Sequence, residues 1–369
     1  MIWCFTLVFI VGFVMSTSVC QAIRFIGPRW GLVDNPGHRK IHEKPMPTDG
    51  GLGIWLGVVA PLAVGQLVLW LLNLDRSGGH PTFPLPESIE IHLPGLMQQS
   101  QKLWQLLGLG TVLVLLGLWD DLRGLSWKIR LGVQFLVAMA IVALGWRASL
   151  FIDMPWLTYW LSVFWIVGLI NSFNMLDNMD GLSAGIAAIC AGFLALIMLT
   201  NPSPATYQPQ LFIGGFLVLL VSAMLGFLRL NRPPARLFMG DCGAYFIGYL
   251  LATSTLSATY AGYDVPRQTI FVPLVILAVP IYDTVSVVFI RLREKRSPFV
   301  GDKSHFSHRL VELGFTKPQA VGIVYLVTTI CCLGAVLLYH IDFVGANVVF
   351  LQVLLLLLLI AIIETKRKR

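Results

Sequence analysis

Asp120 and Asp121 stand side by side, with Arg123, Lys128 and Arg130 close behind. Adjacent carboxylates repel, and beside apolar sequence they are costly unless a cation or a proton lies between them. The pair points to Mg²⁺ or to base chemistry, with an ordinary acidic helix end as the alternative. More specific is NSFNMLDNMDGLSAG, where Asn171, Asn174, Asp177 and Asp180 recur at steps of three. On one helix that spacing keeps all four near a single drifting face, able to converge on one ligand. In FMGDCGAYFIG, Asp241 sits between Gly240 and Gly243. It suits either a hard cation that takes carboxylate and phosphate oxygens or a plain N-cap.

Two further clusters are basic. DNPGHRKIHEKPMPTDGG, from Asp34 to Gly51, carries Arg39, Lys40, His42, Lys44 and Thr48 up to Gly50, Gly51 and Gly53. Bare glycine amides at a helix start approach a phosphate closely, while a solvated basic loop is the plainer reading of the charges alone. The last cluster starts with Asp283 inside an apolar run and continues through Arg291, Arg293, Lys295 and Arg296 to DKSHFSHRL, with Asp302, His305, His308 and Arg309. Two histidines three apart are a thin case for zinc; with Arg309 they suit a diphosphate better. An unpaired structural carboxylate at Asp283 would be expensive in that setting.

The elements that must hold these groups are set by composition. Of 369 residues, 56% are hydrophobic and 12% charged, about half the charged share of a soluble domain. Uncharged runs give eleven candidate spans, roughly 3–23, 50–73, 103–119, 128–146, 156–173, 182–200, 209–229, 243–261, 269–290, 320–339 and 346–363. The expected fold is all-α: a polytopic transmembrane helical bundle, read as one membrane domain over residues 1–369. A Pro- and Gly-rich outside loop is expected at about 74–102 and a cytoplasmic loop at about 291–319. The first run, Ile2 to Cys20, lacks a basic n-region and is expected to remain as a helix.

With the amino terminus outside, 22 of the 26 Lys and Arg fall in cytoplasmic segments, as the positive-inside rule favours. Only Arg76, Lys102, Arg147 and Arg267 fall on the other side. The carboxyl terminus and every polar cluster are then cytoplasmic. Spans two, four, six, eight and ten start on that face, so their positive ends point at the clusters, an arrangement suited to a diphosphate substrate beside a lipid. Topology also explains the net charge of +7 without nucleic acid, because no continuous basic face exists. The six cysteines show no metal spacing and imply neither a disulfide framework nor a zinc site. No fixed-period repeat is found, nor the inverted symmetry with broken helices of many transporters.

In order along the chain, DNPGHRKIHEKPMPTDGG, GLWDDLRGLSWK, NSFNMLDNMDGL, FMGDCGA and DKSHFSHRL resemble the signature segments of the polyprenyl-phosphate N-acetylhexosamine-1-phosphate transferases. The resemblance covers most of the chain. It implies transfer of a sugar 1-phosphate from a UDP-N-acetylhexosamine to undecaprenyl phosphate, with release of UMP. It further implies a Mg²⁺ requirement, with Mn²⁺ as a substitute, and a site on the cytoplasmic face of a bacterial inner membrane. A homodimer is compatible with it.

Residue by residue, the resemblance implies that Asp241 binds Mg²⁺ together with Asn174. Asp120 would deprotonate the lipid phosphate, with Asp121 in support. Asp177 and Asp180 would line the catalytic pocket, and Asn171 and Asn174 would order it. Lys44, Thr48, Lys128 and Asp283 would serve substrate binding, and His305, His308 and Arg309 would grip the diphosphate or sugar. Arg39, Lys40 and His42, with the histidine spacing of DKSHFSHRL, place the chain nearest the N-acetylglucosamine-1-phosphate branch. The alternatives are the muramyl-pentapeptide branch, which carries three successive histidines, and a non-enzymatic transporter of lipid-linked sugar. Direct phosphoryl transfer leads, with an aspartyl intermediate as the other route. Three positions depart from the pattern: Ser307 for a histidine, Asn178 for a glycine and Ala244 for a serine.

Overall fold

A computed structural model of the chain describes residues 2–34, 45–77, 90, 93–148, 154–201, 210–257, 266–300, 302 and 304–365. Arg39, Lys40, His42 and Lys44 lie outside these residues. Thirteen α-helices follow in order: α1 (Ile2–Ile26), α2 (Gly51–Ser77), α3 (Leu93–Arg123), α4 (Trp127–Ala143), α5 (Pro155–Leu176), α6 (Leu182–Thr200), α7 (Leu211–Asn231), α8 (Gly240–Ser257), α9 (Val272–Ile276), α10 (Ala278–Arg293), α11 (Phe306–Glu312), α12 (Lys317–Leu337) and α13 (Phe343–Thr365). Among the described residues, eight are long and apolar enough to cross a membrane, or nine if the bent pair α9–α10 is one span. The remaining two of the eleven expected runs form α4, of 17 residues, and α8, of 18. The protein is an all-α polytopic membrane protein. Among the described residues its sheet structure is one two-residue antiparallel pair, β1 (Val33–Asp34) on β2 (Met46–Pro47).

Helix α8 is the axis of the bundle. Every residue from Cys242 to Leu256 is buried, and α2, α3, α5, α6 and α7 pack around it. Without a hydrophobic drive between helices in lipid, close backbone approach does the work that apolar burial does in water. The amino termini of α2 and α8 meet glycine on glycine: a Cβ on Gly51 would collide with the Gly243 backbone, and one on Gly117 of α3 with that of Cys242. These contacts put the polar ends of α2, α3 and α8 side by side. At the periphery α1 packs on α7, where the Ser16 hydroxyl donates to the Ala223 carbonyl at 2.7 Å.

Helix bounds depart from the uncharged runs at two places. The run 269–290 is not one continuous helix: a short 3₁₀ turn and α9 meet α10 at a bend of 62°. Pro280 has no N–H to give the carbonyl four residues back, and its ring crowds that carbonyl. The carbonyl belongs to Ile276, and the thiols of Cys190 and Cys332 approach it instead at 3.2 and 3.8 Å. Within 74–102, the stretch expected as a loop, residues up to Ser77 belong to α2 and those from Leu93 to α3.

Candidate active site

The polar ends meet around a cavity of about 1220 Å³ lined by Thr48, Asp121, Arg130, Asn171, Asn174, Asp177, Asp180, His305 and His308, among others. The acidic pair closes α3, where a carboxylate opposes the helix dipole and needs compensation. Asp120 finds it inside the protein. Its Oδ1 accepts the Leu125 N–H at 2.6 Å; its Oδ2 accepts Arg130 Nη1 at 2.8 Å and the Tyr245 hydroxyl at 3.3 Å. Asp121 turns the other way, onto the cavity wall, and its Oδ2 accepts the Asp241 backbone N–H at 2.8 Å, capping the positive end of α8.

Asp241 joins the same network. Asn174 Nδ2 donates to its Oδ1 at 2.6 Å, Tyr245 donates to its Oδ2 at 3.1 Å, and Arg130 Nη1 stands 3.5 Å from that oxygen. Arg130 is thus shared between Asp120 and Asp241. Its place follows from the hairpin at Gly124, whose φ of 67° lets the chain reverse so that the first turn of α4 faces the last turn of α3.

The four polar residues at steps of three do not ride one helix. α5 ends at Leu176, with Asn171 and Asn174 on its last turns, and Asp177 and Asp180 follow in a turn closed by Gly181 at φ 76°. All four still line the cavity. Asn171 Nδ2 donates to Gln134 Oε1 at 2.6 Å, which ties α5 to α4. Asp180 Oδ2 accepts the Ala235 N–H at 2.9 Å, fixing the segment before α8. Desolvation, and then the charges of Asp241 and Asp180, push the Asp177 carboxyl up to about 8.

Several expected ligands stand elsewhere. Asp283 is completely buried and accepts His305 Nδ1 at 2.8 Å and the Phe306 N–H at 2.6 Å, so it orients His305 and caps α11. Arg309 is turned away from the cavity: Nε donates to Glu364 Oε2 at 2.8 Å, Nη2 to the Ser286 hydroxyl at 2.9 Å, and Nη1 to the Ser304 carbonyl. Lys128 lies over the Trp127 ring, 5.8 Å from its centroid. Other residues, given no site role from the sequence, contact the cavity or its carboxylates. Arg130 and Tyr245 connect the carboxylates, and Trp127 stacks on Phe299 at 4.1 Å beside the cavity. Arg291 is 3% exposed and binds the Pro298 carbonyl and Asp302. Tyr245 was readable as the residue one turn after Asp241 on a helix; the Trp127–Phe299 contact had no sequence signal.

The donor set fits a hard divalent cation. Asp121, Asp177 and Asp180 line the cavity together with Arg130, and Asp241, next to the lining Gly240, keeps a quarter of its side chain exposed. Mg²⁺ is commonly held by one or two carboxylates together with substrate phosphate. Fold and site together define a polytopic membrane protein with an acidic pocket where the polar helix ends meet.

Comparison with known proteins sharpens that class. Residues 103–259 match the model for glycosyl transferase family 4. The chain is 30% identical over 338 residues to a probable undecaprenyl-phosphate N-acetylglucosaminyl 1-phosphate transferase of Bacillus subtilis, covering 89% of this chain and 84% of the relative. It is 27% identical over 356 residues to the undecaprenyl-phosphate alpha-N-acetylglucosaminyl 1-phosphate transferase of Escherichia coli K12, covering 93% and 86%. It is 28% identical to a decaprenyl-phosphate N-acetylglucosaminephosphotransferase of Mycolicibacterium smegmatis, covering 85% and 77%. The chain belongs to glycosyl transferase family 4.

Proposed function

We propose that this chain transfers N-acetylglucosamine 1-phosphate, or a related N-acetylhexosamine 1-phosphate, from a UDP-sugar to undecaprenyl phosphate, releasing UMP. The observation that carries the reading is Arg130, shared by Asp120 and Asp241 at the head of an acidic pocket. The names of the relatives support the choice of acceptor and sugar.

Arg130 is the cation that an incoming lipid phosphate meets. As its guanidinium turns to the phosphate, Asp120 loses a charged partner and its proton affinity rises, so the freed Oδ2 takes the phosphate's proton. The phosphate oxygen then bonds to the sugar-linked phosphorus while the bond to the UMP oxygen breaks, and that electron pair leaves with UMP. Asp241 and Asn174 would hold Mg²⁺, or Mn²⁺ in its place, which when bound neutralises the diphosphate and the departing UMP. Asp121 keeps the α8 amino terminus aimed at the pocket. His305, set by Asp283, and His308 reach the diphosphate or sugar. The reading places the pocket on the cytoplasmic face of a bacterial inner membrane, in a bundle of eleven spans with the amino terminus outside.

Purified protein in detergent with undecaprenyl phosphate, Mg²⁺ and separate UDP-sugars should yield UMP and a lipid-linked diphosphate sugar by mass spectrometry. Product from the muramyl-pentapeptide nucleotide alone, or from none, would sink the reading. Asp120→Asn and Asp241→Asn should each abolish turnover with expression intact; wild-type rates in both would remove these assignments.

A further inference from the structure

Beside the acidic pocket, Asp49, Asp121 and Cys242 bring two carboxylates and a thiol together from three elements. They come from the turn before α2, the end of α3 and the first turn of α8, and one ligand atom of each lies within 4.8 Å of the others. The point where a Cβ on Gly240 would stand is 2.7 Å from Asp121 Oδ2, 3.0 Å from Asp49 Oδ1 and 3.1 Å from Thr48 Oγ1. A hydroxyl therefore joins the group.

Asp49 gives the independent observation. It is completely buried, and its oxygens have no hydrogen-bond partner outside Asp121 and Cys242. A buried carboxylate in that state calls for a cation, or for a proton shared with Asp121, at its oxygens. Asp49 is also held in a left-handed backbone conformation, φ 67°. The next two amides, Gly50 and Gly51, fix the turn by donating to the carbonyls of Phe238 and Met239 at 2.9 Å each. The thiol of Cys242 is buried, and its hydrogen-bond partner is the Met239 carbonyl at 3.7 Å.

We infer that Asp49, Asp121 and Cys242, with Thr48 alongside, form a binding site for a divalent cation of the zinc class, distinct from the cation expected at Asp241. The donor chemistry selects the class. Mg²⁺ takes oxygen ligands, whereas zinc accepts carboxylate oxygen and cysteine sulfur at one centre. Asp241 is outside the group, its two oxygens engaged by Asn174, Tyr245 and Arg130. Thr48 and Asp121 line the cavity and give the ion a way in. On binding, the sulfur–metal bond forms as the thiol proton leaves to solvent, with no change of oxidation state. Bound there, the ion ties α2, α3 and α8 at the point where their polar ends meet. The inference does not depend on the transferase reading.

The test uses the full chain purified in detergent, stripped with chelator, incubated with Zn²⁺ in excess Mg²⁺ and desalted. The wild type should retain an equimolar amount of zinc by elemental analysis, and Asp49→Asn and Cys242→Ser should fall to the buffer blank. With Cd²⁺ in place of Zn²⁺, a thiolate-to-metal charge-transfer absorption should appear in the wild type and vanish in Cys242→Ser. Zinc absent from the wild type overturns the inference whether or not the variants fold. So does a cadmium absorption that survives Cys242→Ser in a monodisperse sample, which would place the metal at one of the other five cysteines.

Discussion

Ser307, between the two histidines of the last motif, and Asn178, next to Asp177, are brought into contact by the fold. The Ser307 hydroxyl donates to Asn178 Oδ1 at 2.7 Å, and Asn178 Nδ2 donates to the Met175 carbonyl at 2.8 Å. The bond links the Asp177–Asp180 turn to the histidine motif, across 129 residues of sequence. Ser307→Ala, Asn178→Ala and the double variant should show a coupling energy of about 0.5–3 kcal/mol in kcat/KM, as contacting residues do. Strictly additive losses would mean that the two positions act separately. Asp302 makes a second prediction at this scale. Partial burial alone would raise its carboxyl, but Arg291, the Ser304 amide and hydroxyl, and Arg296 hold it well below the usual carboxylate range. A carboxyl depressed on folding stabilises above its unfolded pKa, near 3.9, and that contribution fades only as pH falls through the folded value. Proteolysis of the segment between α10 and α11 should therefore be equally slow at pH 8 and pH 5 in the wild type, and faster at both in Asp302→Asn. Acceleration at pH 5 in the wild type would contradict this.

At the level of elements, Arg309 and Glu364 form a latch between α11 and the end of α13, with side chains 12% and 6% exposed. Tyr282 of α10 joins it by donating to Glu364 Oε2 at 3.0 Å. Removing one partner of a buried ion pair costs about 3–5 kcal/mol. Arg309→Met should lower the Tm in detergent, whereas Arg309→Met with Glu364→Leu should recover most of the loss. Equal Tm values for the single variant and the wild type would rule the latch out. The sequence did foretell the runs that became helices, because lack of charge over a span's length is a strong signal. Asp121, Asn171, Asn174, Asp177, Asp180, His305 and His308, which the span topology put on one face, line one cavity. What stayed hidden is tertiary. Arg309 reads as an anion ligand until Glu364, 55 residues later, is found beside it. Asp283 reads as a pocket carboxylate until His305 and the α11 amino terminus absorb its oxygens. The Pro280 break was written in the sequence, but apolar residues continue across it, and hydropathy does not register the loss of one N–H.

For the whole molecule, the pocket end of the bundle gathers the ends of α3, α5, α7 and α10 with the starts of α2, α6, α8 and α11, and the proposed topology puts that end in the cytoplasm. Ser297, exposed between α10 and α11, and Arg147, exposed between α4 and α5, sit at opposite ends of the proposed topology. In a Cys4→Ser background, Ser297→Cys in right-side-out vesicles should resist a membrane-impermeant maleimide, and Arg147→Cys should react. The reverse pattern would invert the bundle and cut the pocket off from cytoplasmic nucleotide.

Helix α8 carries Asp241 and Tyr245, and it contributes no exposed residue between Cys242 and Leu256. Helices enter a membrane one after another, yet this one can settle only when α2, α3, α5 and α6 are already in place around it. A half-assembled chain has no Arg130 bridge and no cavity, so under the proposed function it would spend neither nucleotide sugar nor lipid carrier, and activity would itself report that assembly is complete.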